Sequence, residues 1–305
     1  MLHGITDPGF SVLGDSISTL AGFIPAGWRV HYEGEVQVEG ITEPRHTWWG
    51  QVIDHFGGHL TANSSFSGSC VEGFGFPAGC SPERLAALRG PAGQAPDVVL
   101  VYMGINDFGW GGARNQTLGR SKSASARPED LPKSHRMQQT VGPEAVELFA
   151  RAYDSLLEGV RSVAPQAQAW CVGLAPGTPP PSSGKGPEAK PPQFAYRLRG
   201  QELEAYNQAI RKAAQAHDAG FVDMAALNFC YDAVDGAHPS ALGMEQIAQT
   251  VISSIQGSPT SRLEELISQA PAPQRTCFLP TCEGCPRSPV GTTSWGLHCM
   301  EPSVP

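Results

Sequence analysis

A serine hydroxyl becomes a useful nucleophile only when a base takes its proton and a third group orients the base. The 305-residue chain offers such a set in two distant fragments. Gly14-Asp15-Ser16-Ile17-Ser18 follows a short apolar run near the start, and Asp235-Gly236-Ala237-His238-Pro239 lies toward the other end. The Asp-x-x-His spacing on one turn can set Asp235 against one imidazole nitrogen of His238 and leave the other for Ser16. Either fragment alone is a common turn or cap. Their positions, at or beyond the ends of strand-like segments and in this order, are what point to acyl chemistry. Attack on a carbonyl also creates an oxyanion that needs hydrogen-bond donors. The candidates are the backbone N–H of Ser16, the backbone N–H of Gly68 in Ser67-Gly68-Ser69, and the side-chain amide of Asn106. Asp15, at a turn, is expected to bond nearby backbone N–H groups and to play a structural part.

The elements that must position these residues alternate between the two kinds of periodicity. Phe10–Gly14, His59–Asn63, Pro96–Met103, Ala167–Leu174 and Gly220–Met224 read as strands. The third is β-branched and uncharged after Asp97, as suits the centre of a parallel sheet. Pro44–Phe56, Pro143–Val163, Arg197–His217 and Pro239–Ile255 have helical spacing, the last with proline in its first turn. Alternation of this kind predicts a parallel sheet covered on both faces, with the ligand site beyond the carboxyl ends of the strands. Two polar insertions, 109–140 and 177–192, follow strands and would overhang that end, either shaping the substrate site or as plain surface loops. Phe108 and Trp110 follow Asn106 closely and are candidates to line a pocket, with local packing as the alternative. Trp48 and Trp49 are adjacent, so one is expected in the core and the other at a rim or under a loop.

Composition narrows the function classes. A formal net charge of −8 and 40% hydrophobic residues suit a soluble protein without broad attraction to nucleic acid. No apolar run approaches the roughly 20 residues needed to span a bilayer. No cationic segment followed by an apolar core is visible at the start, so the expected location is the cytoplasm. Of the eight cysteines, Cys70, Cys80, Cys171 and Cys230 are scattered and expected as reduced thiols, with a Cys70–Cys80 disulfide as the exception in an exported protein. Cys277, Cys282, Cys285 and Cys299 crowd the tail, where structural zinc, two disulfides or unligated thiols are the alternatives. A short Cys-rich module without much core would gain order from a metal.

Gly14-Asp15-Ser16, Gly68, Gly104-Ile105-Asn106-Asp107 and Asp235-Gly236-Ala237-His238 resemble, in order and spacing, four conserved blocks of the SGNH hydrolases, also called the GDSL family. Trp48-Trp49-Gly50, the tract from Asn63 to Ser69 and Tyr102-Met103-Gly104-Ile105-Asn106-Asp107 are similar to a bacterial subgroup of it. Ile17 stands where the family name has leucine and keeps the position apolar. The resemblance implies a three-layer α/β/α, flavodoxin-like fold over residues 1–257, followed by a linker and Cys-rich extension over 258–305. It implies Ser16 as nucleophile, His238 as base, Asp235 as its orienter, and Ser16, Gly68 and Asn106 as the oxyanion hole. The expected partner is a small-molecule ester, and no cofactor is required for catalysis. A short-acyl esterase of carbohydrates or other small molecules is the leading expectation. Lipase, lysophospholipase, thioesterase or acyltransferase activity is the alternative, and a non-catalytic binding protein on the same fold a remote one.

Overall fold

Strands without charge or polarity need cover on both faces, and β1 (Gly9–Gly14) and β3 (Val98–Tyr102) have it, being buried at every residue. In the computed structural model, which describes residues 5–33, 40–73, 75–110, 143–175, 177–178, 197–198, 201–224 and 230–269, they lie side by side in one parallel sheet. Its other strands are β2 (His59–Ser65), β4 (Gln168–Val172) and, after the short β5 (Gly177–Thr178), β6 (Arg197–Leu198) and β7 (Gln201–Glu202), the edge strand β8 (Gly220–Val222). The order is β2-β1-β3-β4-β8. A last short strand, β9 (Tyr231–Asp232), pairs with β5.

The helices form two groups. On one side α1 (Trp48–His55) packs on α6 (Ala241–Gln256), which carries α7 (Ser261–Gln269). On the other, α4 (Pro143–Val163) packs between α2 (Pro82–Ala86) and α5 (Leu203–Ala216). One further helix, α3 (Ile105–Trp110), leaves the end of β3. This is the α/β architecture expected from the sequence. Chain direction reverses its strand order at β1, between β2 and β3, so a crevice is expected beyond Gly14 and Tyr102.

Several boundaries differ from expectation. The segment from Arg197 opens as an antiparallel pair, β6 with β7, and the helix begins only at Leu203. Pro239 lies outside α6, because the Ser240 hydroxyl accepts from Gly243 N–H and starts the helix there. The helix α7 buries Leu263 and Leu266, and its Arg262 pairs with Glu245 of α6. Trp48 and Trp49 are both fully buried, and Trp49 lies under the loop that carries Phe23, the second of the two placements expected for it, not at a rim. Both indole N–H groups reach the same residue: Trp48 Nε1 donates to Ser18 Oγ at 3.1 Å and Trp49 Nε1 to the Ser18 carbonyl at 3.0 Å. Burial of an indole is tolerated when its one donor is satisfied.

The strand ends are drawn together by Arg84, which is fully buried in α2. Its Nη2 donates to Gly14 O at 2.6 Å and Ser64 O at 2.7 Å, and its Nη1 to Ser69 Oγ at 3.0 Å and Pro77 O at 2.9 Å. Burial lowers its pKa to about 9, opposed by the charge of Asp15. A planar fork of donors can serve all these acceptors at once, whereas an ammonium cannot. Arg84→Lys is therefore expected to cost about 2–4 kcal/mol, since several carbonyls lose their partner in a dry setting. The urea midpoint of unfolding, read with an unchanged m-value, checks this.

Candidate active site

Gly14 ends β1 at a place where no side chain fits. A Cβ there would stand 2.4 Å from the Ser18 side chain and 2.9 Å from Ser65 Oγ. The chain then makes one 3-10 turn, Ser16–Ser18, capped by Asp15, whose Oδ1 accepts from Ile17 N–H at 3.0 Å. The turn is held from outside by the two indoles on Ser18 and by Asn63 Nδ2, which donates to Ser18 O at 2.9 Å. Ser16 thus sits on a fixed shelf at the end of β1, only 7% exposed.

The second fragment reaches the same shelf from the opposite end of the chain. His238 Nε2 lies 2.9 Å from Ser16 Oγ, and His238 Nδ1 lies 2.6 Å from Asp235 Oδ2. The other carboxylate oxygen of Asp235 accepts from the backbone N–H groups of Ala237 and His238 at 2.9 and 2.7 Å. Burial works to raise the Asp235 pKa, but the hydrogen bond and charge of His238 and the two backbone donors outweigh it, holding the carboxyl well below the ordinary range. Around this turn Val234 N–H donates to His238 O, Tyr231 OH to Ala237 O and Tyr32 OH to Pro239 O. Ser16, His238 and Asp235 are therefore one hydrogen-bonded chain, as the spacing suggested.

The loop after β2 and the start of α3 complete the end of the sheet. Gly68 takes φ +81°, a left-handed conformation open to glycine, inside a turn closed by Ser69 N–H to Phe66 O. Asn106 Nδ2 donates to Ser69 O at 3.0 Å and to Asp15 Oδ2 at 3.3 Å, so it stands between the neighbours of Gly68 and of Ser16. The buried Asp107 accepts from Val71 and Glu72 N–H at 2.8 and 2.9 Å, pinning that loop to α3. Burial, and then the charge of Glu72, push the Asp107 pKa up.

Other expectations fare differently. Phe108 does not line a pocket. It is fully buried, edge-on to Tyr206 at 5.4 Å, because α3 begins at Ile105 and turns this position toward the core. Trp110 closes α3, and its side chain falls outside the described residues, as do 111–142, nearly all of 177–192 and Cys277, Cys282, Cys285 and Cys299. Cys70, Cys80, Cys171 and Cys230 are thiols, and Cys80 Sγ donates to Val71 O. Among the described residues no cluster of His, Cys, Asp or Glu is arranged to hold a metal, and no helix is long and apolar enough to cross a membrane. Two residues at the site escaped sequence reasoning. Arg84 sits in a helix whose composition resembles any surface helix. His31 lies face to face with His238, ring centroids 3.6 Å apart at 9°, and no motif in Trp28-Arg29-Val30-His31-Tyr32 announces it.

The sequence profile of the GDSL-like lipase/acylhydrolase family matches residues 12–246, most of the chain and all of the site just described. The chain belongs to this family. A GDSL-like lipase from Bacteroides ovatus has the same fold, with a TM-score of 0.52 and 20% identity over 83% of this chain and 100% of the other. One from Bacteroides uniformis aligns with a TM-score of 0.50 and 20% identity over 82% and 96%. No curated protein matches the chain. Within this GDSL-like site the stacked His31 is held neutral. Burial lowers its pKa from 6.5 to about 4, helped by the charges of His238 and Arg29 and opposed by Asp235.

That shift fixes a pH dependence. As pH falls, the unfolded chain protonates His31 first, so stability declines between 6.5 and about 4 and the decline levels off below. Asp235, its folded pKa depressed, adds a further loss as pH drops below the ordinary carboxylate range. Thermal midpoints taken between about pH 7 and about pH 4 are expected to fall more for the wild type than for His31→Phe, which removes the first contribution.

Proposed function

We propose that this acylhydrolase is a serine ester hydrolase that works through an acyl-serine intermediate on short-acyl esters, of the acetyl type, borne by carbohydrates or other small molecules. The observation that carries this reading is the hydrogen-bonded chain from Ser16 Oγ through His238 to Asp235 at the end of β1. In this reading Ser16 Oγ attacks the ester carbonyl while its proton passes to His238 Nε2. Asp235, ionised and fixed by its backbone donors, holds the imidazole in the tautomer that has Nδ1 protonated and favours the imidazolium. The alcohol leaves with the proton from Nε2, water enters, and the same groups release the acid. No step in this cycle calls on a cofactor.

The developing oxyanion would be met by the backbone N–H groups of Ser16 and Gly68 and by Asn106. Both protons of the Asn106 amide are engaged, on Ser69 O and, at the longer distance, on Asp15 Oδ2. The weaker Asp15 contact is the one an oxyanion would displace. The preference for short acyl groups rests on the polar, glycine-rich character of the segments that follow β3 and β4, which offers little material for a long apolar groove.

Hydrolysis of p-nitrophenyl esters of increasing chain length, beside acetylated sugars, tests both parts. Activity is expected to be highest on acetyl and to disappear in Ser16→Ala with the fold unchanged by circular dichroism. Substantial residual turnover in that variant would refute the nucleophile assignment, and preference for long chains would refute the short-acyl reading. Asn106→Ala is expected to lower kcat by roughly 10²–10³ with little change in KM, the usual effect of losing one oxyanion donor.

A further inference from the structure

The imidazole of His31 has a placement that general packing does not explain. His31 and Tyr32 span the two halves of the site. On one side His31 N–H donates to Thr19 Oγ1 at 2.9 Å, and that hydroxyl donates to Ser16 O at 2.9 Å. On the other, Tyr32 OH donates to Pro239 O, the residue after His238. Tyr32 also sets its ring edge-on to His31, centroids 4.8 Å apart at 87°. The His31 backbone is thus tied to the serine turn, while its ring is flanked edge-on by Tyr32, itself tied to the histidine turn, and lies flat on His238 at 3.6 Å and 9°.

A nearly parallel overlap at that distance is a poor arrangement for two neutral rings, whose like-signed faces repel, and offset or edge-on geometries are ordinarily preferred. It becomes favourable when one ring is a cation and the other presents its π face. The stack is therefore worth more when His238 is protonated than when it is not. That is the condition for lowering a barrier, since only interactions stronger in the transition state speed the chemical step. We propose that His31 is a positioning residue of the acyl-transfer site, whose ring face stabilises the His238 imidazolium formed as the Ser16 proton is taken and keeps that ring aimed at Ser16 Oγ. The inference rests on the reading of Ser16 and His238 as nucleophile and base. The charged and titratable groups that act on the stack are Asp235 on the far nitrogen of His238, Arg29 two residues before His31, and the two imidazoles themselves. His31 remains neutral through the pH range in which His238 would work as a base, because burial and the neighbouring His238 keep its own pKa near about 4.

The test uses the full chain and a fluorophosphonate probe, so that it does not depend on knowing the natural ester. In that reaction the Ser16 Oγ–P bond forms, the P–F bond breaks, the serine proton goes to His238 Nε2 and fluoride leaves. His31→Leu fills the space without a ring face, and His31→Ala is a second ring-free replacement should the leucine variant not fold. The limiting labelling rate of the ring-free variant is expected to fall about tenfold, at an unchanged half-saturating probe concentration, while His31→Phe stays within about threefold of the wild type. Equal rates in the wild type and the ring-free variant would overturn the proposal. So would a phenylalanine variant as slow as the ring-free one, because the ring face would then not be the cause. Wild-type protein that Ser16→Ala matches in labelling would instead bring down the nucleophile assignment, and this inference with it.

Discussion

A guanidinium with no carboxylate at hydrogen-bond distance among the described residues, buried where two strands end and a loop crosses them, is the constraint on which this site depends. Arg84 binds the carbonyls of Gly14 and Ser64, the last residue of β1 and the penultimate residue of β2, together with the Ser69 hydroxyl and Pro77 carbonyl of the following loop. Desolvating a guanidinium is expensive, and carbonyl dipoles offset that cost only when several converge on it. The convergence is what fixes geometry. Gly14 cannot move without leaving the cation, nor can the turn that holds Gly68. The side chain also lies over Trp28, 5.6 Å from the ring centroid, so the loop that leads to His31 is registered against the same charge.

From this anchor the polar groups of the site are fixed by neighbours with other tasks. Asp15 caps the serine turn and touches Asn106; Asp107 gathers the Val71 and Glu72 amides; the two indoles finish on Ser18. Apart from the Asp15 cap on Ile17, each of these contacts joins segments remote in sequence, and all of them satisfy buried polar groups that would otherwise be costly. The result is a preorganised surface around the Ser16 hydroxyl, in which little has to reorganise during a reaction.

The strands were legible because continuous β-branched runs have few other uses, and the linked residues Ser16, Asp235 and His238 were legible because a hydroxyl, a carboxylate and an imidazole at those spacings suggested a hydrogen-bonded set. What escaped notice mostly shares one cause. Arg84 in Pro82-Glu83-Arg84-Leu85-Ala86 has the composition of a solvated helix, and only the tertiary fold turns its charge inward. For the two adjacent tryptophans the sequence left a rim and a place under a loop open, and at the first turn of α1 both indoles reach one serine. For Phe108 the sequence left pocket lining and local packing open, and a helical start at Ile105 sends it to the core beside Tyr206. Helix onset at 203 instead of 197 followed from a local hairpin that periodicity does not register. Except for that local pairing, the missing information was the direction of a side chain, which depends on a neighbour distant in the sequence.

The contact between Ser16 and His238 closes a loop of 222 residues, whereas Asp235 and His238 are three apart. The Asp235–His238 pair can therefore form as a local turn, whereas its contact with Ser16 depends on the sheet and on the packing of α6 to bring distant parts of the chain together. A contact of such high sequence separation is among the last to be secured, since its closure entropy must be met by structure already in place. In order of synthesis Ser16 precedes its imidazole partner by 222 residues, so the serine is without that partner while β2, β3, β4 and β8 are being made. The hydrogen bond between Ser16 and His238 therefore reports that the first strand of the sheet and the turn before its last long helix have come together.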